Sequence, residues 1–380
     1  MRRRTGIRKV FWLICSMLVV IGGCVPPERP ARGRLIRVAL LEGARSVAIS
    51  SKSTLTIKDA ASGKVLSRTE NRKPVTLSAT SEGTAISGKP CGARELLVSS
   101  TSNSLSVNGK TYPGNLRILI RNNCLLVVNL VNLGPYLKAV VPSEMLATWP
   151  EEALKAQAVV SRSFVLHHAF RNGAEDYDIT ADKQVYNPQK RDPRTDRAVD
   201  STDNIVLFYR GELLLPFFST CCGGFTEYAA NVWDTKDVFP SPVKCPFCRD
   251  APDYRWQARM SLDEFQEKLR SAGVASARSI AVQSRSTSGE RITVLRIESE
   301  SGESVVKINR FRLLMGPNVI RSGLFDIQVD GGYITFRGRG WGHGVGMCQR
   351  GAKVLAERDE SFNAILKYYF PGARTKRLSG

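Results

Sequence analysis

From Leu35 to about Leu133 the apolar residues come in short β-branched runs: Ile36 to Leu41, Val47 to Ile49, Leu55 to Ile57, Leu116 to Ile120 and Leu125 to Val131. Polar turn signals such as Ala61-Ser62-Gly63-Lys64 and Val107-Asn108-Gly109-Lys110 separate them, so this stretch is expected to be mostly β. The period then changes. Pro150 stands at a first-turn position, Glu151 and Glu152 follow it beside the positive end of a helix dipole, and Ala153, Leu154, Ala156, Gln157 and Ala158 carry a helix to about Phe170. A second helix is expected over Ser261 to Ala272, where Ser261-Leu-Asp-Glu264 resembles a capping box and Phe265 and Leu269 share a face. Residues 279 to 336 return to strand-like alternation, and helices around Ala352 to Glu357 and Phe362 to Tyr369 end at Pro371-Gly372. The predicted class is α+β: a β-rich N-terminal region over residues 35–119, then a mixed α+β domain with a substrate cleft over 120–373, with no internal repeat.

The first 24 residues do not belong to this fold. Arg2, Arg3, Arg4, Arg8 and Lys9 precede the apolar run Val10 to Ile21, which is short for a membrane span of about 20 residues and reads as an export signal. It ends in Ile21-Gly22-Gly23-Cys24, similar to a bacterial lipobox in which Cys24 receives the lipid, and residues 25–34, with three prolines, read as a tether. The alternative is plain secretion with an incidental Cys24. Either way the protein acts outside the cytoplasm, anchored to the cell envelope in the first reading. The chain has 380 residues, 42% of them hydrophobic, enough for a sizeable core, and its net charge of +20 draws it to polyanions. Export removes nucleic acid as a partner and leaves wall anions and membrane surface.

Gly-x-Ser-x-Gly, His-Glu-x-x-His and P-loop signatures are absent. Three segments stand out instead: Val140-Val-Pro-Ser-Glu144-Met145, Ser219-Thr-Cys-Cys-Gly-Gly224-Phe-Thr-Glu227, and Gly338-Arg-Gly-Trp-Gly-His343-Gly-Val-Gly-Met-Cys348-Gln349. The last places glycine at alternate positions, so one face of an extended strand lacks side chains and either a flat substrate or another backbone can approach it. With Tyr136-Leu137, Trp149-Pro-Glu-Glu-Ala-Leu-Lys-Ala-Gln157, Tyr177-Asp178, Gln184-Val-Tyr186, Phe311-Arg312 and Tyr369-Phe-Pro-Gly372, in this order, the chain resembles the stage II sporulation protein D and amidase-enhancer family of bacterial cell-wall proteins. The resemblance covers roughly residues 120 to 373. It implies a lytic transglycosylase that cuts the MurNAc to GlcNAc bond of peptidoglycan with Glu144 as catalytic acid, and it puts His343 in the cleft as a substrate-orienting donor or an aid to Glu144. It further suggests Arg162, Tyr177, Gln184, Gly342, Gly344 and Gln349 as substrate-binding residues, with Arg162 in a buried or cleft-facing place where it fixes local geometry. The other class of function open to such a cleft is a module that grips glycan and stimulates a cell-wall amidase without cutting.

Residue chemistry agrees with the carboxyl assignment. Cleavage without water needs one acid that protonates the leaving oxygen and then, as its conjugate base, helps the C6 hydroxyl close on C1. Apolar neighbours Val140, Val141, Leu146 and Trp149 can desolvate Glu144 and raise its pKa. A hydrolase would want a second carboxylate, and Asp178, Asp182 and Glu227 are available. The family's Cys and His zinc ligands after Tyr-Asp are missing from Tyr177 to Gln184. Cys245-Pro-Phe-Cys248 has zinc-knuckle spacing, however, and with Cys221 and Cys222 upstream it approaches a four-Cys structural zinc site, with Cys348 able to replace Cys221. Disulfides are the competing use of these thiols in an exported protein.

The anchoring reading is directly testable. Cys24→Ser should release the protein from membranes into the soluble fraction, since lipid on that cysteine supplies the attachment. A variant that still pellets with membranes would exclude Cys24 as the anchor.

Overall fold

The computed structural model describes residues 33–379 apart from 71, 234, 236, 272, 275–276, 287–289 and 300–301. The export signal, Cys24 and the tether through residue 32 lie outside the described residues. The expected α+β class holds, with strands dominating the N-terminal part and helices mixed with strands thereafter.

Two sheets build the N-terminal layer. One runs in the order 179–180, 35–44, 124–132, 115–121, 95–100, 55–59, 65–69, and the other in the order 110–113, 104–107, 46–50, 75–80, 83–86, 89–90. Alternate residues of both face inward, and Val47, Ile49, Leu77 and Leu105 of the second sheet close on Ile57, Leu96, Ile118 and Val127 of the first. The Asn108-Gly109 signal folds as expected: both residues have positive φ, 47° and 85°, joining strands Ser104–Val107 and Lys110–Pro113 in a tight hairpin. The strand Asn115–Arg121 crosses residue 119, and the sheet continues through Asn132. Later in the chain Ile179–Thr180 adds to its edge, parallel to Leu35–Ala44. Asp178 fixes that junction by accepting hydrogen bonds from the Arg37 backbone N–H at 2.8 Å and from its guanidinium at 2.7 and 3.0 Å.

Seven helices follow among the described residues. Helix α1, Leu133–Glu144, is absent from the sequence reading because Gly134-Pro135 and Pro142 look like breakers. Pro135 sits in the first turn, where no backbone donor is needed, whereas Pro142 lies in the last turn and forfeits one helical hydrogen bond two residues before the helix ends. Helix α2, Glu151–Arg171, matches the expectation closely, with Pro150 as its N-cap residue. Helix α3, Pro193–Ser201, carries the capping Asp192 and a leading proline. Helix α4, Leu262–Ser271, starts as expected, with Ser261 Oγ accepting from Glu264 N at 3.1 Å. Helix α5, Ile308–Met315, replaces the strand alternation expected there, and its Phe311 packs with Phe265, Phe325 and Phe336 in a core shared by the sheets of residues 255–339. Helices α6, Gln349–Glu357, and α7, Phe362–Tyr369, close the chain; α6 starts slightly earlier than expected, capped by the Cys348 side chain.

Helix α2 is the hub. Its residues are buried on every face, against α1 and the N-terminal sheet on one side and α6 and α7 on the other. Arg162, whose side chain is 1% exposed, is the buried residue fixing local geometry that was one expectation for it, and not a substrate-binding one. Its guanidinium donates to the carbonyls of Val199 at 3.0 Å and Ile205 at 3.1 Å, pinning the end of α3 and the strand Ile205–Tyr209 to α2. Burial, the largest influence, lowers its pKa to about 10, so it remains charged. Arg162→Ala would strand both carbonyls and leave a cavity, and should destabilise the protein by at least about 3 kcal/mol. Chemical denaturation measures this, and a midpoint near the parent's would remove Arg162 from its structural role.

Candidate functional site

Glu144 is the last residue of α1, just before the chain turns extended at Met145. One face of the helix, Tyr136, Leu137, Val140 and Val141, is fully buried and holds this end against the core. The Glu144 carboxyl is half-buried, and its Oε1 accepts a 2.6 Å hydrogen bond from the Val185 backbone N–H. Burial raises its pKa above the usual carboxylate value, and the Val185 bond opposes this in part. Oε2 takes no hydrogen bond from the described residues and is not sealed inside. The carboxyl is thus clamped at one oxygen and open at the other.

A buried polar network fixes that position. Gln349 Nε2 donates to the Glu144 carbonyl at 3.1 Å and to Gln157 Oε1 at 3.2 Å, and Gln157 Nε2 donates to Ser161 Oγ at 3.0 Å. Gln184, beside Val185 in the chain, accepts from the Tyr136 hydroxyl at 3.1 Å and donates to the Ser161 carbonyl at 3.4 Å. Tyr136 stacks on Tyr186 with ring centroids 5.2 Å apart, and the Tyr186 hydroxyl donates to Asn129 at 2.8 Å. Burial, before any neighbouring charge, keeps the Tyr136 phenol far above its usual pKa, so it remains a donor. Gln184 and Gln349, expected to touch substrate, are instead buried residues that position Glu144.

His343 lies in a separate aromatic group. Its ring centroid is 4.7 Å from that of Trp233 and 6.0 Å from that of Phe217, while Phe217 and Trp233 stack at 4.4 Å. The Val345 N–H donates to His343 Nδ1 at 3.0 Å, which puts the ring proton on Nε2. Burial first, then Arg312 and Arg291, lower its pKa to about 3 against the opposing bond to the Phe218 backbone, so the ring is neutral at working pH and does not shuttle a proton. No hydrogen bond among the described residues joins it to Glu144. Ring contacts lead from His343 through Phe217 and Phe164 to His168, whose pKa is lowered to about 4 by burial and then by Lys183, from the loop that carries Val185. Phe217 and Trp233 escaped the sequence reading because no local pattern marks them.

The other expectations need correction. Tyr177 packs on Ala39, Leu119, Leu126 and Val128 of the N-terminal sheet and takes no part in the Glu144 network. Gly342 and Gly344 are occupied by the protein itself. A Cβ on Gly342 would come within 2.8 Å of Ser219 Cβ, and one on Gly344 within 2.4 Å of Arg291 Nη2, both at positive φ. The glycine face therefore admits neighbouring segments of this chain and not a substrate at these positions. Two recesses, one lined by Leu214, Phe217 and Phe239 and the other by Leu207, Lys367 and Thr375, do not include Glu144. The thiols of Cys222, Cys245, Cys248 and Cys348 gather within 4.8 Å of one another; Cys221 is buried nearby but outside this set, and Cys348 takes its place.

Comparison with known proteins accords with this arrangement. A family model described as stage II sporulation protein matches residues 121–209, which include Glu144, Arg162 and the Gln184 loop, and one described as a domain of unknown function matches residues 248–346. An uncharacterised protein of Brachyspira hyodysenteriae is 35% identical over 286 residues, covering 73% of this chain and 76% of that protein. Stage II sporulation protein D of Bacillus subtilis is 30% identical, covering 80% of this chain and 88% of its own length. The amidase enhancer of the same organism is 28% identical over 72% of this chain, which spans only 45% of that longer protein. The chain belongs to the stage II sporulation protein D family.

The network makes its own prediction. Tyr136→Phe removes the donor that the buried Gln184 carbonyl oxygen needs, and should cost roughly 1–3 kcal/mol. Urea denaturation would show this as a lowered midpoint with an unchanged slope, and an unshifted midpoint would mean that the phenol does not hold Gln184.

Proposed function

We propose that the protein is an exported cell-wall enzyme, a lytic transglycosylase that cuts the MurNAc to GlcNAc bond of peptidoglycan and leaves 1,6-anhydroMurNAc ends. Family membership supports a cell-wall function. The observation that carries the finer reading is the Glu144 carboxyl, desolvated, held through Oε1 by the Val185 N–H and open at Oε2. Protonated Glu144 gives its proton to the glycosidic oxygen as the bond from that oxygen to C1 breaks. The resulting carboxylate takes the proton of the C6 hydroxyl while O6 bonds to C1, which restores the acid without consuming water.

The fates of the other acids favour a single-carboxylate mechanism. Asp178 is bound to Arg37, and Glu227 is fully buried, accepting from Ser286 Oγ at 2.7 Å, Asn231 Nδ2 at 2.8 Å and the Tyr228 N–H at 2.8 Å beside Arg291. Neither is free to activate a water. Asp182 is exposed on the loop that carries Val185, so product chemistry is the test of whether it takes part. Trp233 and Phe217, beside the neutral His343, supply an apolar surface of the kind that sugar rings stack on. The positive charge of the chain suits the anionic wall, and lipid on Cys24 would hold the enzyme at the membrane.

A second reading rests on the relative named amidase enhancer: the same surface binds glycan strands and stimulates a cell-wall amidase without cutting.

Glu144→Gln separates the two. Under the first reading it abolishes the release of 1,6-anhydro ends, scored by mass spectrometry of purified glycan strands, while strand binding persists. Undiminished cleavage by the variant would overturn the assignment, reducing ends in place of anhydro ends would make the enzyme a hydrolase, and absence of cleavage by the parent chain would favour the binding module. Because the acid must be protonated, cleavage should decline as pH rises through the Glu144 pKa, and burial moves that decline to higher pH than an exposed carboxyl would give.

A further inference from the structure

The four thiols of Cys222, Cys245, Cys248 and Cys348 converge from three segments far apart in the chain. Cys222 precedes Gly223-Gly224, Cys245 caps the single turn Pro246–Cys248 that Cys248 ends, and Cys348 caps α6. All four are buried, their sulfur atoms lie within 4.8 Å of one another, and Cys222 Sγ is 3.7 Å from Cys248 Sγ. A disulfide would require about 2.05 Å. Four sulfurs at ~2.3 Å around one zinc ion sit ~3.8 Å apart along each edge of a tetrahedron, close to the separation found.

The surroundings suit thiolates. Cys348 Sγ accepts from the backbone N–H groups of Cys222 at 3.3 Å and Gly351 at 3.4 Å, the latter in the first turn of α6, and Cys245 Sγ is 3.2 Å from the Tyr369 hydroxyl. Donors aimed at sulfur offset the charge that four thiolates retain around a divalent ion. Gly351 is required by the packing: a Cβ there would fall 1.9 Å from the Tyr369 hydroxyl and 2.8 Å from Cys245 Sγ. The buried Arg291 adds a positive charge nearby, donating to the Cys222 carbonyl at 2.8 Å.

We infer that these four cysteines hold one zinc ion, and that the ion is a positioning element for Glu144. Cys348 is followed directly by Gln349, whose amide holds the Glu144 carbonyl. Arg350, next along, is ion-paired with Asp253, donates its backbone N–H to the Thr220 carbonyl at 3.0 Å and lies over the Trp149 ring at 5.0 Å. A metal on Cys348 therefore fixes the first turn of α6 and, through it, the segment from Glu144 to Trp149. Four thiolates leave no open position for a water, so the ion serves structure and not chemistry. The coupling rests on Glu144 being the functional carboxyl; the metal assignment does not.

Full-length protein purified without chelator should contain about one zinc per chain, and X-ray absorption should show four sulfur neighbours at ~2.3 Å. Cys221→Ser should keep the zinc and Cys348→Ser should lose it. Iron in place of zinc, metal-free protein with these thiols blocked as disulfides, or loss of zinc in Cys221→Ser with retention in Cys348→Ser would overturn the site. Chelation should speed amide hydrogen exchange in residues 142–149 and 347–357 while leaving the strands of 46–107 protected. Unchanged exchange at 142–149 after the zinc has gone would overturn the coupling while leaving the metal site, and glycan cleavage is scored separately from both.

Discussion

A helix buried on every face cannot carry polar side chains unless each finds a partner, and α2 carries four in the space of seven residues. Gln157, Ser161, Arg162 and Ser163 are all essentially inaccessible. Three of them recruit distant parts of the chain, Gln349 for Gln157, the carbonyls of Val199 and Ile205 for Arg162, and the Leu207 N–H for Ser163 at 2.9 Å, while the Ser161 hydroxyl accepts from Gln157 on the same helix. Leaving any of them unpaired in this low-dielectric interior would cost more than the bond itself supplies, so the set is selective for one arrangement. The site is a by-product of that demand. Glu144 is held where it is because Gln349, drawn in to satisfy Gln157, also reaches its carbonyl, and because Gln184, bonded to the Tyr136 hydroxyl and to the Ser161 carbonyl, carries Val185 to its carboxyl.

Much of this scaffold can be read from sequence where the signal is local. Hairpins announce themselves at Asn108-Gly109, α2 by Pro150-Glu-Glu, and α4 by Ser261 with Glu264, because turn and capping chemistry is contained within a few residues. Helix α1 was hidden by two prolines, of which Pro135 falls where no donor is needed and Pro142 falls in the last turn. Helix α5 was hidden because Val305, Val306 and Ile308 alternate as a strand should, although the chain changes state between them: Lys307 ends the strand and Ile308 begins the helix.

The candidate site was legible only in its carboxyl. Glu144 follows from the motif and its apolar neighbours, but the pairing of Gln349 with it spans 205 positions, and no periodicity records such a contact. The same holds for Cys348, 126 positions from Cys222, whereas Cys245 and Cys248 were visible as a spaced pair. The alternating glycines show the opposite failure. Their pattern was plain, but sequence could not decide what approaches them, and at Gly342 and Gly344 it is Ser219 and Arg291 of the same chain.

The strongly basic composition also divides once burial is known. Arg162, Arg291 and Arg312 spend their charge on backbone carbonyls of the interior, with burial as the first influence lowering the pKa of each. Such cations cannot draw an anionic polymer from solution; that attraction falls to the exposed ones. What the buried arginines do is hold loops that have no regular partners, Arg312 by donating to the carbonyls of Ile320 and Arg321, and Arg291 by bridging Cys222 and Glu227. Glu227, which lies beside Arg291, is buried and already accepts from Ser286, Asn231 and the Tyr228 N–H. Glu144 has a single donor among the described residues and an open oxygen, and that contrast between two glutamates in one chain is the physical reason for proposing the less satisfied of them as the acid.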